Sequence, residues 1–377
     1  MGAFLDDAAQ KGVGTSGWKR GMTRAPYALF FGLLPVLATF WAIPVQAQPA
    51  PVCSAEQFEA FSRSNRPGKQ ISIDCSLTLP KGFEVSANMV FEGSKASHAV
   101  LDCAGGTIDV SGNKSRMGRT AIIVRSVQRK DGSWDAPEGV TVRNCTIKGF
   151  MRVYGLDENA NGPNMKESSR HPDHTEFTQA AAPKHTAFEN LTIIAPNGIS
   201  LYVGPGSMWT KLVNSRLEGK TGGTAIYLDA ESGRSTIKDN VFDVATKSRE
   251  LIAIDGSTRN KILGNTFYNP VNGGIFAYRN CGEGGVIRHQ TPNFNIITDN
   301  SFVYSSRDIK KPAVWLNSRN GKQRYCFIDR RYDFGSSKNS MDLAKKNVVS
   351  MNRIVGGDLG LIRNNDASNE IYDNFAE

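Results

Sequence analysis

Apolar and polar residues alternate in short runs along most of the chain, and the runs recur. Thr141-Val-Arg-Asn-Cys-Thr-Ile147, Ala187-Phe-Glu-Asn-Leu-Thr-Ile193 and Lys211-Leu-Val-Asn-Ser-Arg-Leu217 share one pattern: an alternating strand, a small polar residue, then a second apolar pair. It returns at 236–242, 261–267, 295–302 and 347–354. Between these runs lies a second set: Gly198-Ile-Ser-Leu201, Ala225-Ile-Tyr-Leu228, Leu251-Ile-Ala-Ile254, Gly274-Ile-Phe-Ala277, Ala313-Val-Trp-Leu316 and Asp358-Leu-Gly-Leu361. Period-two alternation predicts strands with one buried face. A unit of about 25 residues cannot cover its own apolar face, so successive units must stack. The pattern therefore predicts an all-β fold, a single-stranded parallel β-helix. A β-sandwich of regular strands gives no reason for a fixed unit length.

Asn240, Asn265, Asn300 and Asn352 recur at one turn, which predicts an asparagine ladder through the stack. Residues 53–64 form an amphipathic pattern suited to a short helix that caps the open N-terminal coil. The expected organisation is an N-terminal cap over 48–70 and a β-helix over 71–377. Two polar insertions break the period, near 157–185 and 319–346.

The composition narrows the class. The chain has 377 residues, 40% hydrophobic and 21% charged, with a net charge of +9, which excludes a disordered or multi-pass membrane protein. Lys19, Arg20 and Arg24 precede an apolar stretch over 27–45 that closes on Val45-Gln46-Ala47, the layout of a secretory signal peptide over 1–47. That segment holds four basic and two acidic residues, so the exported part keeps +7. A secreted or periplasmic protein does not meet nucleic acid, and signal cleavage leaves no stable membrane attachment. An acidic polysaccharide is then the expected partner of the positive charge. Six cysteines (53, 75, 103, 145, 281 and 326) lie beyond the signal, where disulfides can form. Sequence does not fix their connectivity; Cys53–Cys75 and Cys281–Cys326 are the pairs offered here.

Stacking brings equivalent positions of successive coils to within about 4.8 Å. Aligned on the second strand set, the outward positions include Tyr202; Tyr227, Asp229 and Glu231; Asp255; Tyr278; and Trp315, Asn317 and Arg319. Asp229 and Asp255 fall in one column on adjacent coils, with Glu231 two residues along. Three carboxylates so close can hold Ca²⁺ or flank a glycosidic bond as acid and base, or simply form a solvated face. The next coil adds Arg279, Glu283, Arg288 and His289 in a glycine-rich stretch. These arginines can serve chemistry or only neutralise the acids. Tyr202, Tyr227, Tyr278 and Trp315 offer flat faces to sugar rings or to one another, and Asn317 and Arg319 extend the same surface.

From about residue 71 to 375 the repeat resembles the right-handed parallel β-helix of the pectate-lyase-like superfamily. The layout of the acids is similar to that of its calcium-dependent polysaccharide lyases. That resemblance implies Asp229, Glu231 and Asp255 as Ca²⁺ ligands. It also implies Arg279 or Arg288 as the base that removes the proton α to a uronate carboxylate, with Glu283 and His289 beside it. No diagnostic stretch surrounds either arginine, so the choice between them stays open. His171-Pro-Asp-His174 is similar, in altered order, to the Asp-Pro-His-Asp motif of alginate epimerases; either histidine could be an acid, a base or a ligand in a loop over the groove, but the composition equally suits a polar surface loop with no further role. The expectation is a lyase that cleaves an acidic polysaccharide by β-elimination. Its rivals are an inverting glycoside hydrolase, a C5-epimerase and a non-catalytic glycan-binding solenoid.

Overall fold

A computed structural model describes residues 49–377 apart from 324, 325 and 327. The expected signal peptide over 1–47 lies outside the described residues. Three parallel sheets of ten strands each run the length of the described chain, and every strand pairs with its equivalent on the coils before and after. This is the expected parallel β-helix, with the right-handed crossovers that parallel strand connections adopt. The first sheet runs from Gln70–Ser72 to Ile362–Arg363, and its central strands include Leu201–Val203, Ile226–Leu228, Ile252–Asp255, Ile275–Tyr278 and Val314–Leu316.

The alternation fills the interior. Leu201, Ile226, Ile252, Ile275 and Val314 stand in register and are fully buried. So are Leu212, Ile237, Ile262, Ile297 and Val349 on the second sheet. On the third, Phe242, Phe267 and Phe302 stack ring on ring at 4.5 and 4.9 Å. The turn into the third sheet takes positive φ at its first residue, occupied by Asn214, Asp239, Gly264 and Asp299 on successive coils. Asn and Asp tolerate that conformation and glycine reaches it freely, which explains the polar turn signal.

The residue after that turn builds the predicted ladder. Asn240 Nδ2 donates to Asn265 Oδ1 at 3.0 Å, Asn265 to Asn300 at 2.9 Å, and Asn300 to Asn352 at 3.0 Å. A second ladder, Asn260, Asn295, Asn347 and Asn369, lines the turn out of the first sheet.

Helix α1 (Ala55–Ser64) begins with a capping box: Gln57 N–H donates to Ser54 Oγ and Ser54 N–H to Gln57 Oε1. Its Phe61 joins the interior at the first coil. Disulfides link Cys53–Cys75, Cys103–Cys145 and Cys281–Cys326. Three excursions leave the coil after strands of the first sheet. Residues 155–186 carry α2 (Pro163–Ser168) and α3 (His174–Ala180), and 279–295 and 317–347 follow later coils. They are tied together: Ile287 N–H donates to Ser169 Oγ, Arg288 N–H to Ser336 Oγ, and Cys281–Cys326 joins two of them.

Candidate functional site

The outward face of the first sheet places one column in register: Arg152, Tyr202, Tyr227, Ala253, Phe276 and Trp315. The next outward column carries Asp229, Asp255 and Tyr278; Asp255 pairs directly with Tyr278. The carboxylates are therefore stacked as the repeat demands, but the three excursions cover them. Asp229 is 4% exposed, while Glu231 and Asp255 are inaccessible.

Each carboxylate has its own set of partners. Asp229 accepts from Tyr202 OH at 2.6 Å and from Ala230 N–H at 2.8 Å, and faces Arg288 Nη1 at 3.5 Å. Asp255 accepts from Asn280 N–H at 2.7 Å and from Tyr227 OH. Glu231 sits at a positive-φ corner and accepts from His289 N–H at 2.9 Å, Gln290 N–H at 3.2 Å and Thr175 Oγ1. These oxygens point to different neighbours, and among the described residues no group of three His, Cys, Asp or Glu side chains is arranged to hold a metal ion. This donor set does not fit Ca²⁺, which needs six to eight converging oxygens. Burial, opposed by the charge of Arg288, raises the Asp229 pKa to about 6. Arg288 is itself enclosed; burial works against its charge, but Asp229 and Asp255 hold its pKa above the ordinary arginine value. An arginine so held stays charged.

The other expected catalytic groups are dispersed. Arg279 is 2% exposed; its Nη2 donates to the carbonyls of Asn339 and Met341, and its backbone N–H to Asp342. It holds the 317–347 excursion in place. Glu283 accepts from Asn280 Nδ2 at 3.0 Å. His289 meets the Ser169 carbonyl through Nε2 at 2.8 Å, with its ring between His174 and Phe334. His174 is inaccessible against Ser168 Oγ and Thr178 Oγ1, and burial lowers its pKa to about 4, so it is neutral at pH 7. His171 is exposed. Asn317 exchanges two hydrogen bonds with the Ala344 backbone.

One step further along the sheet Trp315, Arg249 and Lys311 are half-buried, while Tyr278 and Glu250 beneath them are 1% and 3% exposed. A cleft of about 330 Å³ is lined by Phe276, Trp315, Tyr278, Arg249, Glu250 and Lys311, with Arg319 at its side. Phe276 meets Trp315 edge-on at 5.6 Å. Tyr278 OH donates to Glu250 Oε1 at 2.8 Å and accepts from Arg249 Nη2 at 2.9 Å; Arg249 also grips Glu250 with two hydrogen bonds. The guanidinium of Arg319 lies 3.5 Å over the Tyr278 ring. Burial raises the Glu250 pKa, but the hydrogen bond and charge of Arg249 outweigh it and hold the carboxyl ionised below its usual range. Burial, reinforced by Glu250, lifts Tyr278 well above the usual phenol value. Glu250 is thus held ionised and Tyr278 protonated, joined by one hydrogen bond.

Of the expected sugar-binding residues, the structure brings Tyr278, Trp315 and Arg319 together in this cleft. Tyr202 is instead buried and Tyr227 half-buried, and they donate hydrogen bonds to Asp229 and Asp255. Sequence reasoning missed Arg249, Glu250, Lys311 and Phe276. Phe276 stands in the column of Tyr227 and Trp315 and was legible from register. Arg249 and Glu250 immediately precede the strand run Leu251-Ile-Ala-Ile254, a position that repeat alignment leaves in a turn.

No family model and no curated protein matches the chain. Among solved structures it is similar to the surface adhesin PfbA of Streptococcus pneumoniae, at 15% identity and a TM-score of 0.46, covering 85% of this chain and 81% of that one. It is similar to endo-xylogalacturonan hydrolase of Aspergillus tubingensis at 14% identity and a TM-score of 0.43, covering 85% and 88%. An exopolygalacturonase of Thermotoga maritima follows at 10% identity and a TM-score of 0.37, covering 81% and 78%.

Proposed function

We propose that the protein is an exported enzyme that cleaves an acidic, uronate-containing polysaccharide by β-elimination in the cleft at Trp315 and Tyr278. The observation that carries this reading is the pairing inside the cleft. A phenol kept protonated and a carboxylate kept ionised share one hydrogen bond at 2.8 Å, beside an aromatic platform and the cations Arg249 and Lys311.

The roles follow from that chemistry. Trp315, backed edge-on by the buried Phe276, receives the apolar face of a sugar ring. Lys311 and Arg249 neutralise the uronate carboxylate, which acidifies the C–H beside it. Glu250 accepts that proton, the electron pair forms the new C=C bond, and the C–O bond to the leaving sugar breaks. Tyr278 donates its proton to the departing oxygen. No step calls on a metal ion. The three disulfides support an oxidising compartment, and among the described residues no helix is long and apolar enough to cross a membrane.

Hydrolysis is the second reading. It is favoured by the stacking of Asp229 and Asp255 and by the raised proton affinity of Asp229, the asymmetry an acid–base pair uses. Incubation with a panel of bacterial and plant uronans, with added calcium or with chelator, separates the two. Unsaturated uronate and reducing ends rising together, with or without chelator, support elimination. Reducing ends alone support hydrolysis. Polymer retained on a column with neither product rising refutes cleavage and leaves a binding solenoid.

A further inference from the structure

At the other end of the same outward column, Arg152 is 2% exposed, yet among the described residues no carboxylate lies within ion-pairing distance of it. Its Nη1 donates to the carbonyls of Met151 and Ile199, and its guanidinium rests against the rings of Phe150 and Tyr202 at 5.0 and 5.4 Å. These contacts orient the group without cancelling its charge. Nη2 has no hydrogen-bond partner. Beside it Arg119 also lies over the Phe150 ring at 5.5 Å, with its buried Nε also unpartnered, and the exposed Arg116 joins them. Arg116, Arg119 and Arg152 line one cavity of about 250 Å³ together with Asn197, Gly198 and Gly223. Burial, then the charge of Arg116, lowers the Arg152 pKa to about 10, against smaller opposing effects from Tyr202 and Glu158. A buried charge without a counter-ion is costly in a folded protein, and here it opens onto a cavity flanked by two more of the same sign.

We infer that this cavity is an anion subsite, in which Arg152, Arg119 and Arg116 bind a carboxylate or sulfate substituent of the polymer. Guanidinium groups suit both planar carboxylates and sulfates through paired N–H donors. Four register steps separate Arg152 from Phe276, about 19 Å at the inter-strand spacing, with the buried Tyr202 and Ala253 between them, so the subsite and the cleft are distinct places along one column. That the anion belongs to a polymer rests on the function proposed above; the anion subsite itself does not.

The test uses small anions, so it needs neither polymer nor turnover. Thermal unfolding of the full chain is compared in galacturonate, sulfate and chloride at equal ionic strength, for the native protein, Arg119→Gln and Arg152→Met. The expected result is a higher melting temperature in galacturonate or sulfate than in chloride. Half-saturating concentrations should rise about tenfold or more in Arg119→Gln, in line with loss of a charge-assisted bidentate contact. A shift with galacturonate alone identifies a carboxylate and with sulfate alone a sulfate ester; a shift with both supports a general oxyanion site. Equal melting temperatures in all three salts, or a shift that Arg119→Gln and Arg152→Met both retain in full, overturns the inference. Anion binding without turnover of any uronan would leave the subsite standing and remove the proposed function; turnover without anion binding does the reverse.

Discussion

Arg288→Met is the sharpest probe of the roofed acid column. Arg288 faces Asp229 at 3.5 Å and both are buried, so the substitution leaves a carboxylate in the interior without its cation. Removing one partner of such a pair costs about 3–5 kcal/mol. The native Asp229 already titrates at about 6 instead of 3.8. The folded state thus binds this proton more tightly than the unfolded state. The contribution of Asp229 to stability is largest below the unfolded pKa and declines as pH rises towards the folded one. Above that, ionised Asp229 costs the native fold roughly 3 kcal/mol. Without Arg288 the folded pKa climbs further, so the penalty must grow with pH. Urea unfolding of Arg288→Met should show a loss of about 3–5 kcal/mol near pH 7.5, shrinking to about half that or less near pH 4.5, where Asp229 is neutral. Arg288→Met combined with Asp229→Leu should recover a large part of the loss, since an apolar pair replaces the buried ions. A loss that is the same at both pH values, or that simply adds in the double variant, would falsify this description of the pair.

Two further outcomes test the frame. Asn265→Ala removes two donated bonds, to Ile237 O and Asn300 Oδ1, and strands the Asn240 amide N–H in the interior. It should lose about 3–5 kcal/mol by urea unfolding, and a loss below about 1 kcal/mol would contradict a ladder that satisfies turn backbone groups. Replacing Cys103 and Cys145 by Ser opens a 42-residue separation; the chain-entropy estimate is about 4 kcal/mol, read as a lower urea midpoint, and an unchanged midpoint would refute the cross-link.

The repeat was readable because its physics is local and periodic. Inward Ile, Leu and Phe recur with the strand period, and Asn240, Asn265, Asn300 and Asn352 mark a turn with one backbone geometry. Register also placed Asp229 above Asp255. What register cannot show is cover. Arg288 and His289 belong to an excursion whose path depends on Ser169 and Ser336, more than a hundred residues before and about fifty after. That path turns the acid column from an open face into an interior network, and it leaves Trp315, Arg249 and Lys311 half-buried over the equally enclosed Glu250 and Tyr278. Arg152 was missed for a related reason. Its strand, Phe150–Tyr154, precedes the largest insertion and was not aligned with the set that starts at Gly198, although it shares a column with Tyr202.

The most direct test of the central claim is the initial rate of unsaturated-uronate formation by Tyr278→Phe relative to the native protein, on the uronan that the panel identifies. The substitution keeps the ring under Arg319 and removes only the hydroxyl between Glu250 and Arg249. If Tyr278 protonates the departing oxygen in this cleft, the rate falls about a hundredfold or more while polymer binding is retained. A variant that forms product at the native rate would contradict the account.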